Sequence, residues 1–191
     1  VWFPVQMDHM KVNEAYRIWH GLPYQDDALQ APVNHVHFDG YSMGPNTETK
    51  YKPLERIPGL AIGGWFDAGD YNKYVNFAYE PIHDLSLAYI ERPDVWTDDY
   101  NIPESGNGIP DLLDEMKWEL DWLRRMQLAN GSMLMKVSVT DFSAASPPSA
   151  DTGARRYGPA QASATRTAAS MFAIAAIAYD LTGHPALQLY A

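Results

Sequence analysis

A segment near the middle of the chain has its apolar residues at helical spacing. From residue 109 to residue 126 they recur every three or four positions, so they share one side of a helix. Pro110 lies in the first turn, where its missing N–H costs little, and Gly131 follows Asn130 as a stop signal. The pattern predicts an amphipathic helix ending at Asn130. Its apolar positions are Ile109, Leu112, Leu113, Met116, Leu120, Leu123 and Met126.

Three other segments have helical patterns, and long loops separate them. They cover residues 5–19, a stretch that ends near Tyr89 and is reset at Pro81, and an alanine-rich stretch over residues 161–182. The stretches 21–64 and 138–159 are rich in breaker and loop residues. With hardly any strand signal, the sequence predicts an all-α fold. Its length of 191 residues suits a single domain over residues 1–191.

Charge and composition exclude several classes of function. The net charge of −10 repels phosphate backbones and anionic lipids, which argues against nucleic-acid and membrane-surface roles. The chain has no cysteine, so a thiolate zinc site is excluded. The longest apolar run, from Ala168 to Tyr179, is shorter than the roughly 20 residues that a membrane span needs. A neutral substrate such as a polysaccharide is compatible with all three observations.

Two carboxylates, Asp67 and Asp70, are three residues apart where a loop is expected to enter a helix. At this spacing both side chains leave the same side of a turn, roughly 5–6 Å apart at Cβ. The small residues Ala68 and Gly69 between them let a water or a sugar ring approach closely. Two such acids can share a water, one accepting its proton while the other orients it. Alternatively, both are helix-start carboxylates favoured by capping and by the helix dipole.

Aromatic residues flank this pair and are candidates for substrate binding. Trp65 precedes it, and Tyr71 and Tyr74 follow it. Flat rings can stack on sugar faces and form the walls of a subsite, but core packing explains them equally well. His35 and His37 have strand spacing but no obvious third ligand, so they are interpreted as structural or substrate-facing.

Two long motifs identify the family. The stretch 63–75, GGWFDAGDYNKYV, resembles the signature of glycoside hydrolase family 9, and the stretch 104–127, ESGNGIPDLLDEMKWELDWLRRMQ, resembles the next hallmark of that family. They occur in the same order and at a fitting distance. Weaker resemblance extends over essentially the whole chain, through Phe3 to Met7 and Tyr16 to Gly21 upstream.

The resemblance implies a fold and a reaction. The family folds as an (α/α)6 barrel, of which this chain would supply the first four to five helices as the N-terminal portion of the catalytic domain. It hydrolyses β-1,4-glucosidic bonds with inversion, as cellulases do. By resemblance Asp70 is the general base and Asp67 helps to hold the attacking water. The proton donor of the family is a glutamate near the end of that domain, which is expected outside this chain, so the fragment alone is expected to be inactive.

Inversion requires an acid remote from this pair. Acid and base stand about 6.5–9.5 Å apart in inverting enzymes, farther than Asp67 and Asp70 are expected to be. Glu104 is the only nearby internal candidate for the acid, and it is interpreted as helix-entry scaffolding. Asp111, Asp114 and Glu115 are interpreted as a solvated helix face favoured by the dipole, so no metal ligand is assigned.

Cofactors, partners and location follow from the same resemblance. No cofactor is required for the chemistry, and structural calcium is compatible with the complete domain. The expected partners are a β-glucan polysaccharide or oligosaccharide, the C-terminal remainder of the domain and an upstream immunoglobulin-like domain. A secreted or periplasmic protein is expected. The alternatives are an exo-acting or oligosaccharide-trimming enzyme of the same family and, in a different class, a non-catalytic glucan-binding fragment.

Overall fold

The computed structural model describes residues 39–42, 56–58, 60, 63–67, 72–100, 104–138 and 155–187. The predicted helix over residues 5–19 and the histidines at positions 35 and 37 lie outside this part of the chain. Among the described residues, three α-helices are the largest elements, and short strands and 3₁₀ turns connect them. The helices are α1 (Tyr79–Glu91), α2 (Asp111–Met126) and α3 (Ala162–Asp180), and the 3₁₀ turns are Val75–Ala78, Pro93–Val95 and Pro185–Leu187.

Helix α1 begins before its proline and is not reset by it. Tyr79 is its first residue, so Pro81 lies in the first turn, where backbone N–H groups have no partner within the helix. The 3₁₀ turn Val75–Ala78 leads directly into it. The predicted end near Tyr89 is confirmed within two residues, since the helix ends at Glu91.

Helix α2 has the predicted apolar face but ends earlier than predicted. Its last residue is Met126, because Gln127 turns to extended backbone and bridges Met133. The turn between them uses Gly131 at a φ of +84°, so this glycine serves the turn and does not end the helix. The predicted apolar positions are buried, except Leu112, which is partly covered.

Helix α3 matches the predicted alanine-rich helix closely and packs against α1. Gly183 follows its end with a φ of +61°, as expected of a terminating glycine. Polar contacts join α3 to α1 and to the 3₁₀ turn before it: His83 Nε2 lies 3.0 Å from the hydroxyl of Ser170, and the Thr167 hydroxyl donates to Oδ1 of Asn76 at 2.8 Å. The small buried side chains of α3 allow the two helices to approach closely.

Among the described residues, five short strands that the sequence did not predict form one sheet, in the order β2-β1-β5-β4-β3. The strands are β1 (Asp39–Ser42), β2 (Arg56–Pro58), β3 (Lys73–Tyr74), β4 (Lys136–Ser138) and β5 (Arg155–Tyr157). Only the pair β1 and β5 is parallel, and the other neighbours are antiparallel. Strands of two to four residues are too short to show the alternation that marks a strand in sequence.

The hydrophobic core lies between the three helices and the sheet. It includes large side chains with no more than 4% exposure from α1, α2 and α3, together with two sheet residues. Examples are Ile82 and Tyr89, Leu120 and Trp122, Met171 and Tyr179, and Val137 and Tyr157. The described residues are mainly helical, as predicted, and the small sheet is an addition that the all-α prediction did not include. None of the helices described here combines the length and apolar character that crossing a bilayer would require.

Candidate active site

The chain segment before the two aspartates is pressed against helix α2. Gly63 and Gly64 adopt left-handed backbone, with φ of +75° and +80°. A Cβ at residue 64 would lie 2.6 Å from Cδ2 of Trp122, so glycine permits both this conformation and this approach. The indole N–H of Trp122 donates to the carbonyl of Leu60 at 3.2 Å. Trp122 therefore sets the path of the chain toward the aspartates.

Trp65 is held by two carboxyl groups of α2. Its main-chain N–H donates to Oε2 of Glu119 at 2.6 Å, and its indole N–H donates to Oε1 of Glu115 at 2.9 Å. Trp65 belongs to the core and is 7% exposed. This placement favours core packing, the alternative that the sequence left open for Trp65. Glu115 and Glu119 are one helical turn apart, so they contact the same residue from one face of α2.

Asp67 is hydrogen-bonded through its main chain to Asn72, five positions later. Its main-chain N–H donates to the carbonyl of Asn72 at 2.7 Å, which joins the two ends of segment 67–72. The side chain of Asp67 is half-buried and that of Asn72 is buried. Asp70 and Tyr71, the predicted base and a predicted substrate contact, lie within this segment but outside the described residues.

Lys73, just after segment 67–72, is hydrogen-bonded to Gly63, which lies before that segment. Its Nζ donates to the carbonyl of Gly63 at 2.5 Å and lies 5.0 Å from the centre of the Phe66 ring. Lys73 is 4% exposed, and its backbone belongs to β3, which pairs with β4 opposite Val137. Segment 67–72 is therefore preceded by Trp65, which α2 holds, and followed by β3, which the sheet holds. No function was predicted from sequence for Lys73, Glu115 or Glu119.

The two glutamates are buried carboxyls with strongly altered acidity. Burial raises the pKa of Glu115 to about 8, against the opposing effect of the hydrogen bond from Trp65. Burial also raises the pKa of Glu119 to about 8, while the Trp65 N–H and the positive charge of Lys73 act in the opposite direction. A neutral carboxyl group keeps acceptor oxygens, so both contacts with Trp65 persist in either protonation state.

Tyr74, the third predicted substrate contact, lies at the surface side of this region. It is half-buried, with its ring centre 4.8 Å from that of Phe77, which is 61% exposed. Lys136 Nζ stands 5.6 Å from the Tyr74 ring centre. Of the predicted aromatic contacts that the structure describes, Tyr74 is therefore near solvent and Trp65 is buried against α2.

Two aspartates in the first turn of α2 and one aspartate from the segment before it form an acidic cluster. One carboxylate oxygen each from Asp98, Asp111 and Asp114 lies within 4.8 Å of the others. The interpretation of Asp111, Asp114 and Glu115 as a solvated face is wrong, because their exposures are only 3%, 6% and 7%. The loop before α2 covers the two aspartates: the Ser105 hydroxyl donates to Asp111, and the Asn107 side chain donates to Asp114.

The cluster has unused acceptor capacity in a buried position. Oδ2 of Asp111 accepts from the main chain of Tyr100 and from Ser105, whereas its buried Oδ1 has no hydrogen-bond partner among the described residues. Burial raises the pKa of Asp114 to about 7. Carboxylate oxygens that converge in this way suit a hard cation such as Ca²⁺. An Asp-x-x-Asp pair in the first helical turn, preceded by Asn107, is the signal from which sequence reasoning could have found the cluster.

Glu104, the internal candidate for the catalytic acid, lies on the side of the acidic cluster. Its half-buried side chain is close enough to Asp114 and Glu115 for its charge to contribute to their raised pKa values. This placement favours the scaffolding role that the sequence suggested.

Comparison with known proteins agrees with the two motifs. The model of Glycosyl hydrolase family 9 matches residues 28–190. The chain is 37% identical over 158 residues to Endoglucanase D of Acetivibrio thermocellus, covering 78% of this chain and 24% of that protein. It is 38% identical over 132 residues to the xyloglucan-specific endo-beta-1,4-glucanase BoGH9A of Bacteroides ovatus, covering 65% of this chain and 20% of that protein.

A solved structure agrees as well. The chain superposes on a metagenome-derived glycoside hydrolase family 9 endoglucanase with a TM-score of 0.68 and 35% identity, over 76% of this chain and 26% of that one. It thus spans about a quarter or less of the length of the curated relatives just named. The match to the family model extends over most of the chain and confirms the resemblance. The chain belongs to glycosyl hydrolase family 9.

Proposed function

We propose that the protein containing this chain hydrolyses β-1,4-glucosidic bonds with inversion, with Asp70 as the general base and Asp67 orienting the attacking water. The observation that supports this proposal is the hydrogen bond from the main-chain N–H of Asp67 to the carbonyl of Asn72, because Asp70 lies between these two residues in the sequence. A hydrogen bond that joins the two ends of a short segment reduces the conformational freedom of the side chains that the segment carries. Such preorganisation is what proton transfer from a positioned water requires.

The chemistry needs three groups on two sides of the sugar. Water attacks the anomeric carbon from the face opposite the leaving oxygen, and Asp70 accepts a proton from that water. The bond to the leaving oxygen breaks while a glutamate outside this chain protonates it. The acid and the base must be about 6.5–9.5 Å apart, which leaves room for the water. Asp67 and Asp70 therefore act together on the water side.

Aromatic residues near the loop support recognition of a sugar. We assign Tyr71 and Tyr74 to the walls of the subsite beside the scissile bond, where flat rings can stack on pyranose faces. The half-buried Tyr74 next to the exposed Phe77 supports this assignment. The burial of Trp65 supports a role behind the loop and not against the sugar.

The substrate class is a β-1,4-glucan, and the names of the relatives support cellulose-type polymers. One relative is named as xyloglucan-specific, so a branched β-1,4-glucan is an alternative to an unbranched one. Endo action is the first choice, and exo action or oligosaccharide trimming is the alternative. Comparing initial rates and product lengths on carboxymethylcellulose, xyloglucan and cello-oligosaccharides would separate these substrates and modes of action.

We infer the remaining properties of the whole protein from its family. The helices described here would form part of an (α/α)6 barrel that the C-terminal remainder of the domain completes, and this chain alone would be inactive without the proton donor. An upstream immunoglobulin-like domain and a secreted or periplasmic location also belong to the proposal.

We propose that the acidic cluster binds a structural Ca²⁺. Asp98, Asp111 and Asp114 would be the ligands, and Oδ1 of Asp111, which has no hydrogen-bond partner in the described part of the chain, supports this assignment. The cation would neutralise buried negative charge at the start of α2 and takes no part in the hydrolysis.

Replacement of the base tests the proposed reaction. In the full-length protein, Asp70→Asn should lower kcat on soluble cellulose derivatives by about a thousandfold or more, since proton transfer to a positioned base contributes about 10²–10⁴-fold. The exposed Asp84→Asn is a matched control for loss of one carboxylate and should retain activity. Unchanged hydrolysis by Asp70→Asn would reject the base, and glucan binding by a wild-type protein that hydrolyses nothing would favour the non-catalytic alternative.

A further inference from the structure

Glu115 and Glu119 place two carboxyl groups where the fold alone would favour apolar side chains. They lie on α2 among core residues and are 7% and 1% exposed. Removing a carboxyl group from water is costly unless its oxygens gain good partners. Both find these partners on one residue, Trp65, which lies two positions before Asp67.

The contacts fix Trp65 in two independent ways. Glu119 accepts from the main-chain N–H, so it fixes the backbone of the segment that leads to Asp67. Glu115 accepts from the indole N–H, so it fixes the rotation of the ring. A backbone position and a ring orientation that are both held leave the next residues little freedom to shift.

Lys73 completes the arrangement on the other side of the loop. Its ammonium group donates to the Gly63 carbonyl. Its positive charge also acts on Glu119, where it partly opposes the rise in pKa that burial causes. Lys73, Gly63 and Glu119 are therefore linked by a hydrogen bond and by charge. The network joins the segment before the loop, the segment after it and helix α2. Hydrophobic packing between these elements would not require buried ionisable side chains, so the network needs another explanation.

We propose that Glu115 and Glu119 are positioning residues for hydrolysis. Glu115 holds the ring of Trp65 and Glu119 holds its backbone, and together they set the position of Asp67 two residues later. This inference rests on the proposed function of Asp67 and Asp70. It adds two residues that touch neither the substrate nor the water and act only through Trp65.

The test compares two kinds of substitution in the full-length protein. Glu119→Met and Glu115→Met keep side-chain length but remove the acceptor oxygens, and we expect kcat to fall by about a hundredfold, the effect of a misplacement of about 1 Å. Glu119→Gln and Glu115→Gln keep an acceptor oxygen, and kcat should stay within about threefold of wild type. KM should change by less than about threefold throughout, because no substrate contact is removed.

Trp65→Phe gives a second route to the same contact if a methionine variant fails to fold. It keeps an aromatic ring but removes the indole donor, so kcat should fall by about tenfold or more. In a double-mutant cycle with Glu115→Met, the double variant should lose no more activity than the more impaired single variant, because both remove the same hydrogen bond.

Met171→Ala on α3 is the control for a purely structural effect. It removes a buried core side chain remote in sequence from the loop, so it should lower thermal stability while kcat per folded molecule stays unchanged. If the methionine variants lose stability as Met171→Ala does but keep wild-type kcat, the positioning role is wrong. Glutamine variants as impaired as the methionine variants would also overturn it.

The two proposals fail in different ways. If the wild-type protein does not hydrolyse β-glucans, or Asp70→Asn remains active, the proposed reaction fails before the glutamates are considered. If Asp70→Asn is inactive while folded Trp65→Phe and Glu119→Met retain full kcat, the reaction stands and the positioning role alone is rejected.

Discussion

The main-chain nitrogen of Trp65 lies 2.6 Å from Oε2 of Glu119, a residue 54 positions later in the sequence. The carboxyl group is buried on α2, and this contact with the loop segment partly offsets the loss of hydration. A group that is this poorly hydrated should couple the stability of the protein to pH.

Glu119→Gln should reduce the dependence of stability on pH. The pKa of Glu119 is about 8 in the folded protein, above its ordinary value of 4.5. The folded state therefore binds this proton more tightly, so its stabilising contribution is complete at low pH and is lost as pH rises toward the folded-state pKa. Between about pH 5 and pH 7, the free energy of unfolding of wild type relative to Glu119→Gln should fall by about 1.4 kcal/mol per pH unit.

Urea unfolding of the full-length protein at several pH values would measure this difference. The exposed Glu80→Gln is the control and should leave the pH dependence unchanged. Parallel curves for wild type and Glu119→Gln would contradict a raised pKa for Glu119.

Gly64→Ala should destabilise the protein far more than a typical glycine substitution. The new Cβ would meet the Trp122 ring at 2.6 Å, and the backbone has a φ of +80°. We expect the free energy of unfolding to fall by about 2–4 kcal/mol from strain and overpacking together. Gly131→Ala is the matched control, since its φ is +84° but no atom of the described residues lies within 4 Å of the added carbon. Equal losses in chemical denaturation would show that the Trp122 contact is unimportant.

Calcium should stabilise the wild-type protein through the acidic cluster. A ligand at a hundredfold excess over its Kd adds about 3 kcal/mol, so thermal unfolding should shift upward with Ca²⁺ and downward with a chelator. Asp111→Asn should abolish most of this shift, because it removes the charge of a carboxylate whose Oδ1 has no partner among the residues that the structure describes. Asp94→Asn, on the exposed surface, should keep the full shift. A calcium effect of equal size in both variants would place the cation elsewhere.

Ser86→Ala should stabilise the protein slightly. The hydroxyl of Ser86 is buried on α1 and has no hydrogen-bond partner among the described residues. Alanine removes this cost and has the higher helix propensity, so the free energy of unfolding should rise by about 0.5–1 kcal/mol. Ser170→Ala, which loses the contact with His83, should be neutral or destabilising. Differential scanning calorimetry can resolve the two, and a lower melting temperature for Ser86→Ala would contradict the prediction.

The helices could be predicted from sequence because their signals are local. Apolar spacing identified α2, and alanine content with Gly183 identified α3 within two residues. The sheet could not be predicted, since β1 pairs with β5, more than a hundred positions later, through strands too short to have a pattern of their own. Tertiary pairing, not local propensity, determines such strands.

The site shows the same limit. The Asp67 and Asp70 pair is visible as a motif, and the family resemblance adds a role for each. Glu115 looked like part of a solvated helix start because carboxylates commonly occupy that position. Only the folded chain shows that Trp65 covers it. A charge at helical spacing does not indicate whether water or another segment faces it.

Helix α2 carries Asp111 and Asp114 in its first turn, and Glu115 and Glu119 follow one turn apart, so the same helix contributes to the acidic cluster and to the contacts with Trp65. Each residue added to a helix rotates all later side chains about the helix axis by about 100°. An insertion just after Asp114 would leave the aspartates in place but turn Glu119 away from the segment it holds. The length of this helix is consequently constrained at its start as strictly as the identity of its side chains.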